Sequence, residues 1–307
     1  MRVLFYGTPA FAVSSLEALL HHHTVVAAIT QPDRPAHRGQ RITASPVKER
    51  ALAAGVPVEQ PARLRDPEWP DRLRGVAPEI AVVVAFGQIL PRAVLDVPPR
   101  GSINVHASLL PRYRGAAPIA WAIIRGEVET GVSIMQMDEG MDTGPVLLTA
   151  HTPIGPDETA GDLAVRLADL GARTLIEALS RLDALTPVAQ PHAEATLAPR
   201  LTKDHGHLDW GRPARELVNR VRGCNPWPGG FTRTPSGLLL IWRATAVDVT
   251  PAPRPGTLVP YRDTLAIAAG AGALLPREVQ AEGRRALPWP EYLRGARLAA
   301  GTIFSAP

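Results

Sequence analysis

The sequence predicts an open, mostly parallel α/β sheet followed by a smaller domain built as a β-barrel or open sheet. Three observations carry that reading. Short apolar runs alternate with amphipathic segments through the first half of the chain, as strands joined by crossover helices do. Ile80–Phe86 (IAVVVAF) is apolar without interruption, as a parallel strand covered on both faces must be. Beyond Gly206 one helix is followed by short strands broken by Gly and Pro, which suits a small sheet.

Arg2–Gly7 reads as the first strand, and Ala10–Leu20 spaces Phe11, Ser15, Leu16, Leu19 and Leu20 along one helical face. Thr24–Thr30 is the second strand. Ser45–Gly55 is a helix with Ser45 as N-cap, Pro46 at its first position and Gly55 closing it. Val56–Glu59, Ser102–His106, Gly131–Met137 and Val146–Ala150 are further strands, with helices over 117–125 and 159–182. Gly7-Thr8-Pro9-Ala10-Phe11-Ala12 lacks the later glycines of the dinucleotide fingerprint, which argues against NAD. The domains are expected at 1–185 and 207–307, with the mixed, proline-containing stretch 186–206 as linker. In the second domain Pro213–Arg222 is the helix, and Leu238–Trp242, Thr257–Val259, Leu265–Ala268 and Gly301–Phe304 are strands.

Hydrophobic residues make up 45% of the 307 and charged residues 20%, a globular rather than a disordered composition. The single cysteine, Cys224, excludes an internal disulfide and a multi-cysteine metal site and suits a reducing compartment. It reads as packed, not reactive. No apolar run reaches the ~18 residues of a membrane span, and the opening apolar stretch is too short for a signal peptide, so the expected compartment is the cytoplasm. His21-His22-His23 do not share one helical face, and no metal site is expected from them. Trp210, Trp227, Trp242 and Trp289 read as packing residues.

The net charge of +4 is unevenly spread. Met1–Thr196 carries 18 basic against 21 acidic residues, whereas Leu197–Pro307 carries 15 against 8, a net of +7. A basic second segment implies a polyanionic partner.

Strand alternation puts Asn104 and His106 on one face of Ser102–His106. The loop Met137–Pro145 supplies carboxylates, among them Asp142. An amide, an imidazole and a carboxylate provide an oxyanion donor, a proton carrier and a compensating charge. No Ser or Cys nucleophile stands out, so acyl transfer here would be direct. Taken alone, His106 reads more readily as a satisfied structural histidine than as a catalytic one.

The stretch from Asn104 to Ile119, N-V-H-A-S-L-L-P-R-Y-R-G-A-A-P-I, resembles the core motif of the formyltransferases that use 10-formyltetrahydrofolate, most closely those acting on methionyl-tRNA. M-D-E-G-M-D-T-G-P, from Met137, is similar to a second family motif, and N-P-W-P-G, from Asn225, to a third. Gln31–Arg41 looks like the basic loop that enters the tRNA acceptor arm, with His37 in place of a small residue and Gln40 in place of a common lysine. The resemblance implies a Rossmann-like, mostly parallel sheet with a C-terminal small β-barrel (OB-like) domain. It makes Asn104, His106 and Asp142 catalytic. It assigns folate contacts to Ser108, Leu109, Leu110 and Pro111, and the pterin pocket to Phe86, Gly87, Gln88, Ile89 and Leu90. It implies 10-formyltetrahydrofolate as co-substrate without a metal, charged initiator methionyl-tRNA as acceptor, no membrane, and a monomer. Arg34, Arg38 and Arg41 with Lys203 are the expected tRNA contacts, extended by Arg200, Arg215, Arg220 and Arg222. The competing readings are a formyltransferase acting on an amino-sugar nucleotide or glycinamide ribonucleotide, and a non-catalytic RNA-binding protein.

Overall fold

A computed structural model describes residues 1–36, 41–250 and 254–305. Two compact units emerge. Unit 1 takes Met1–Ala116, Glu129–Pro153 and Ala164–Ala198, and unit 2 takes Ala117–Val128, Ile154–Leu163 and the chain from Pro199 onward.

In chain order the first elements are β1 (Arg2–Gly7), α1 (Val13–His22), β2 (Thr24–Ile29), β3 (Arg34–Ala36), β4 (Arg41–Thr43), α2 (Pro46–Ala53), β5 (Val58–Glu59) and α3 (Trp69–Arg74). There follow β6 (Ile80–Val84), α4 (Arg92–Leu95), β7 (Ser102–His106), α5 (Pro118–Ile124), β8 (Glu129–Gln136), β9 (Val146–Pro153) and α6 (Ala160–Ser180). Seven of these strands make one sheet in the order β5-β2-β1-β6-β7-β8-β9. It is parallel from β5 to β7, and β8 and β9 run antiparallel. The short return from β8 to β9 permits only an antiparallel pair. As the sequence predicts, the Ser45 hydroxyl caps α2 by accepting from Lys48 N at 3.2 Å. Around the Gln31–Arg41 segment β3 and β4 pair antiparallel, Arg34 with Thr43 and Ala36 with Arg41.

Register decides where the site falls. Tyr6, Val83 and Asn104 are successive partners across β1, β6 and β7, so they share a face. Over β1 and β6 that face is apolar, with Leu4, Tyr6, Ala81 and Val83 packed against Leu73 of α3 and Val94 of α4. At β7 it turns polar, with Asn104 and His106. The opposite face stays apolar, and a Cβ on Gly171 of α6 would stand 2.9 Å from Val105.

Unit 2 holds α5, then α7 (Ala214–Gly223), β10 (Gly230–Thr234), β11 (Gly237–Val247), β12 (Leu258–Tyr261), β13 (Thr264–Ala268), β14 (Ala273–Ala281), β15 (Leu287–Pro288) and α8 (Trp289–Ala296). Its sheet is antiparallel, ordered β10-β11-β14-β13-β12 with β15 on β14. Strand β14 escapes a reading by sequence because Pro276 interrupts it. That proline pairs with Ala244 beside a register shift in β11, where a missing N–H is tolerated. The strand expected at Gly301–Phe304 is corrected to isolated bridges: Ile303 pairs with Thr257 and Ser305 with Arg233. The tail thereby bonds to the chain entering β12 and to β10, the two ends of the sheet order.

Candidate functional site

Asn104 and His106 are 9% and 5% exposed, on a strand bonded on both sides. Asp142 reaches them from the β8–β9 connection: its Oδ1 lies 3.5 Å from Asn104 Nδ2 and 3.6 Å from His106 Nδ1. The sequence places two of these groups on one strand. The third is brought in by a loop 38 residues further along from Asn104.

The orientation of the imidazole is set by a backbone group. His106 Nε2 lies 3.0 Å from the carbonyl oxygen of Tyr113. A carbonyl only accepts, so Nε2 carries the proton. The Tyr113 carbonyl holds the ring at Nε2, and Asp142 faces the other ring nitrogen, Nδ1. In the neutral ring Nδ1 presents a lone pair, so within the trio Asn104 is the group able to donate a hydrogen bond to a developing oxyanion before proton transfer.

Asp142 has φ of +55° and Tyr113 +62°, backbone that only surrounding contacts maintain. Gly115 N donates to Asp142 Oδ2 at 2.8 Å. Gly115 itself has φ of +119°, and a Cβ there would stand 2.8 Å from the Ala198 carbonyl oxygen. Glycine is needed on both counts. A buried glutamine from the expected linker, Gln190, donates to the carbonyls of Asp142 (3.0 Å) and Gly144 (2.6 Å) and accepts from Arg114. No sequence pattern marks Gln190 or the Tyr113 carbonyl as part of the site, although the glycine of R-Y-R-G announces an unusual backbone.

A cavity of about 210 Å³ lies beside the trio, lined by Gln88, Ile89, Leu90, Met135, Met137 and the loop 138–142. Three of the residues expected at the pterin pocket are thus in its wall. Gly87 lines a neighbouring hollow with Gln88 and Ile89. Phe86 is buried against Tyr6, their ring centroids 5.3 Å apart, and its carbonyl accepts from Thr8 and Gln31. Ser108, Leu109, Leu110 and Pro111 are not in the wall of the 210 Å³ cavity. The Ser108 hydroxyl, fully buried, donates to the Arg112 carbonyl at 2.6 Å, and Leu110 N donates to Ser133 Oγ. Among the described residues no three His, Cys, Asp or Glu side chains gather as a metal site.

Comparison with known proteins fits this geometry. Residues 1–179 match the family described as formyl transferase, and residues 200–297 match the formyl transferase C-terminal domain. The chain belongs to the formyl transferase family. A methionyl-tRNA formyltransferase from Symbiobacterium thermophilum is 51% identical over 313 residues, covering 100% of this chain and 96% of its own. Another, from Sorangium cellulosum, is 49% identical over 99% of both chains. Among solved structures, an N-formyltransferase from Helicobacter canadensis in complex with folinic acid and dTDP-3-aminofucose superposes with a TM-score of 0.67 at 19% identity. It covers 90% of this chain and 98% of that one.

The basic residues singled out in this formyl transferase fall into three groups. Arg34, Arg200, Lys203 and Arg215 are exposed. Arg38 lies outside the described residues, and the backbone of Arg41 opens β4. Arg222 is corrected: it is 8% exposed and donates to the carbonyls of Gly155 and Glu158 and to Asn219. Burial pulls its pKa down. Arg222 supports its own unit and is no surface contact. Arg220 is half-buried and donates to the His205 carbonyl.

A further cluster escaped the sequence reading. Lys48 Nζ lies 2.6 Å from Asp33 and 2.7 Å from Gln60, and Gln60 Nε2 is 2.8 Å from the other Asp33 oxygen. These bonds hold the Asp33 carboxyl below the usual carboxylate range and anchor the base of the β3–β4 hairpin. Cys224 is buried, and burial pushes its thiol up to about 11. Trp210 and Trp289 are buried as the packing reading expects, but Trp227 is 52% exposed. No described helix is long and apolar enough to cross a membrane.

Proposed function

We propose that the chain transfers the formyl group of 10-formyltetrahydrofolate to the α-amine of charged initiator methionyl-tRNA, giving formylmethionyl-tRNA for translation initiation. The observation that carries this reading is the convergence of Asn104 and His106 on Asp142, each within 3.6 Å of its Oδ1, beside a cavity, in a chain about half identical to methionyl-tRNA formyltransferases along its whole length. The apolar walls Leu90, Met135 and Met137, next to peptide and amide groups at 87–88, fit a flat heterocycle with polar edges. Bound there, the folate supplies an activated formyl carbon.

The reaction forms a bond from the α-amine to the formyl carbon, breaks the bond from that carbon to the folate nitrogen, and moves one proton from amine to folate nitrogen. An α-amine has a pKa of about 8, so a neutral fraction exists near pH 7 without assistance. Asn104 Nδ2 is the donor for the oxygen on which charge develops. His106 Nδ1 takes the amine proton and releases it, its ring held by the Tyr113 carbonyl. Asp142 compensates the positive charge that the ring then carries.

Acceptor selection belongs to the basic surface. Arg34, Arg38, Arg41 and Lys203 contact tRNA phosphates, with the second domain as an OB-like barrel. Supporting this are the net +7 beyond Thr196 and the tail residues 303 and 305, which bond at both ends of the second sheet as closure into a barrel requires. The protein works as a cytoplasmic monomer. The test is transfer of labelled formyl from 10-formyltetrahydrofolate to charged initiator methionyl-tRNA or to a dTDP-amino sugar. Formylation of the tRNA alone is expected; a preference for the sugar nucleotide would overturn the assignment.

A further inference from the structure

We infer that Gln190, held by Arg114, is a positioning residue for formyl transfer: it ties the loop that carries Asp142 to the loop that grips His106. The inference rests on Asp142 and His106 acting as proposed above. Both Gln190 and Arg114 are 6% exposed. The Gln190 amide uses its full hydrogen-bonding capacity. Its two N–H groups donate to the carbonyls of Asp142 and Gly144, and its oxygen accepts from Arg114 Nε at 3.0 Å and Nη2 at 2.6 Å. Only this orientation of the amide satisfies both neighbours, because a guanidinium only donates and carbonyls only accept.

What lies at each end gives the bridge its consequence. On one side Asp142, at φ +55°, is kept in a costly conformation by a bond to its own carbonyl. At Gly144 a Cβ would collide with the Gln136 carbonyl, so glycine is needed for the loop to lie this close to β8. On the other side Arg114 lies between Tyr113, whose carbonyl holds His106 Nε2, and Gly115, whose N–H holds Asp142 Oδ2. The Arg114 backbone is pinned in turn, its N–H donating to the Thr196 carbonyl at 2.8 Å and its carbonyl accepting from Ala198 N at 2.7 Å. Guanidinium Nη1 stands 3.2 Å from His192 Nδ1. One glutamine from a stretch that reads as a linker therefore sets the distance between the imidazole and the carboxylate. A packing role alone would not place all four of its bonds on these two loops.

Gln190→Glu tests the inference, because it keeps the shape and the acceptors facing Arg114 but sets an oxygen against the two loop carbonyls. Misplacing a catalytic group by about 1 Å costs on the order of 10²-fold in rate. The expected result is a kcat for methionyl-tRNA formylation reduced by about 10- to 100-fold with KM for the folate little changed. In an Asp142→Asn background the same substitution should cost nothing further, since a residue acting through the carboxylate has nothing left to position. If Gln190→Glu does not fold, Arg114→Lys keeps the charge, loses the forked contact, and carries the same two expectations. Wild-type kcat in these variants, or losses that multiply with that of Asp142→Asn, would overturn the positioning role while leaving the catalytic trio standing. Wild-type kcat in Asp142→Asn itself would overturn the trio and the positioning role together.

Discussion

The two sides of the site are held by different physics. Asn104 and His106 stand on a strand paired to β6 on one flank and β8 on the other, so the ladder fixes their backbone, and the Tyr113 carbonyl adds a hold on the His106 ring. Asp142 stands in a loop, in a left-handed conformation, and depends on Gly115, Gln190 and Arg114 for its place. Substitution on the strand should remove a chemical group and spare the scaffold. Substitution around the loop should leave every chemical group present and lose their alignment.

The largest effect is expected on the strand side. Asn104→Ala removes the neutral donor proposed for the developing oxyanion, and turnover should fall by about 10²–10³ with folate binding, followed by fluorescence titration, little changed. An equal loss in folate affinity would mean that Asn104 serves binding and not the reaction. On the loop side Gly115→Ala introduces strain of about 1–3 kcal/mol at its positive φ and a clash with the Ala198 carbonyl. The expected outcome is a large loss of turnover together with a lower Tm, where Asn104→Ala leaves Tm close to that of the parent. Full turnover in Gly115→Ala would show that Asp142 needs no such support.

The same division separates what the sequence discloses from what it hides. Strand β7 and the pairing of Asn104 with His106 on one face are legible because period-two alternation and burial act on neighbouring residues. The parallel half of the sheet is legible for the same reason: Ile80–Val84 is apolar because both its faces are covered. Asp142 becomes legible only through a motif, because its partners lie far away in the chain. Gln190 is not legible at all, since proline and polar residues around it read as a linker and its value comes from bonds to positions 114, 142 and 144. Arg222 misleads in the opposite direction: its charge reads as surface, and only its carbonyl partners show that it is buried.

That arginine supplies a third, smaller contrast. If Arg34 and Lys203 are phosphate contacts, alanine at either should lower the slope of log affinity for tRNA against log salt by about one. Alanine at Arg222 should leave the slope unchanged and lower Tm, because it vacates three hydrogen bonds inside its unit. Slopes unmoved by Arg34→Ala and Lys203→Ala would remove both residues from the interface.

The smallest effect concerns pH. Asp33 has a depressed carboxyl, so its anchoring of the hairpin is complete above the ordinary carboxylate range and fades as pH falls toward its lowered value. Hydrogen exchange at β3 and β4 should therefore quicken in acid before exchange in β6 and β7 does. Simultaneous loss of protection in all four strands would mean that the Asp33–Lys48–Gln60 contact holds nothing in place.

The most direct measurement is the single-turnover rate of formyl transfer from 10-formyltetrahydrofolate to charged initiator methionyl-tRNA, compared between the parent chain and His106→Ala at saturating folate. With Nδ1 as the carrier of the amine proton, the rate should drop by about 10²-fold or more while tRNA and folate still bind. A rate equal to that of the parent would contradict a catalytic role for the imidazole and, with it, the mechanism built on the three converging side chains.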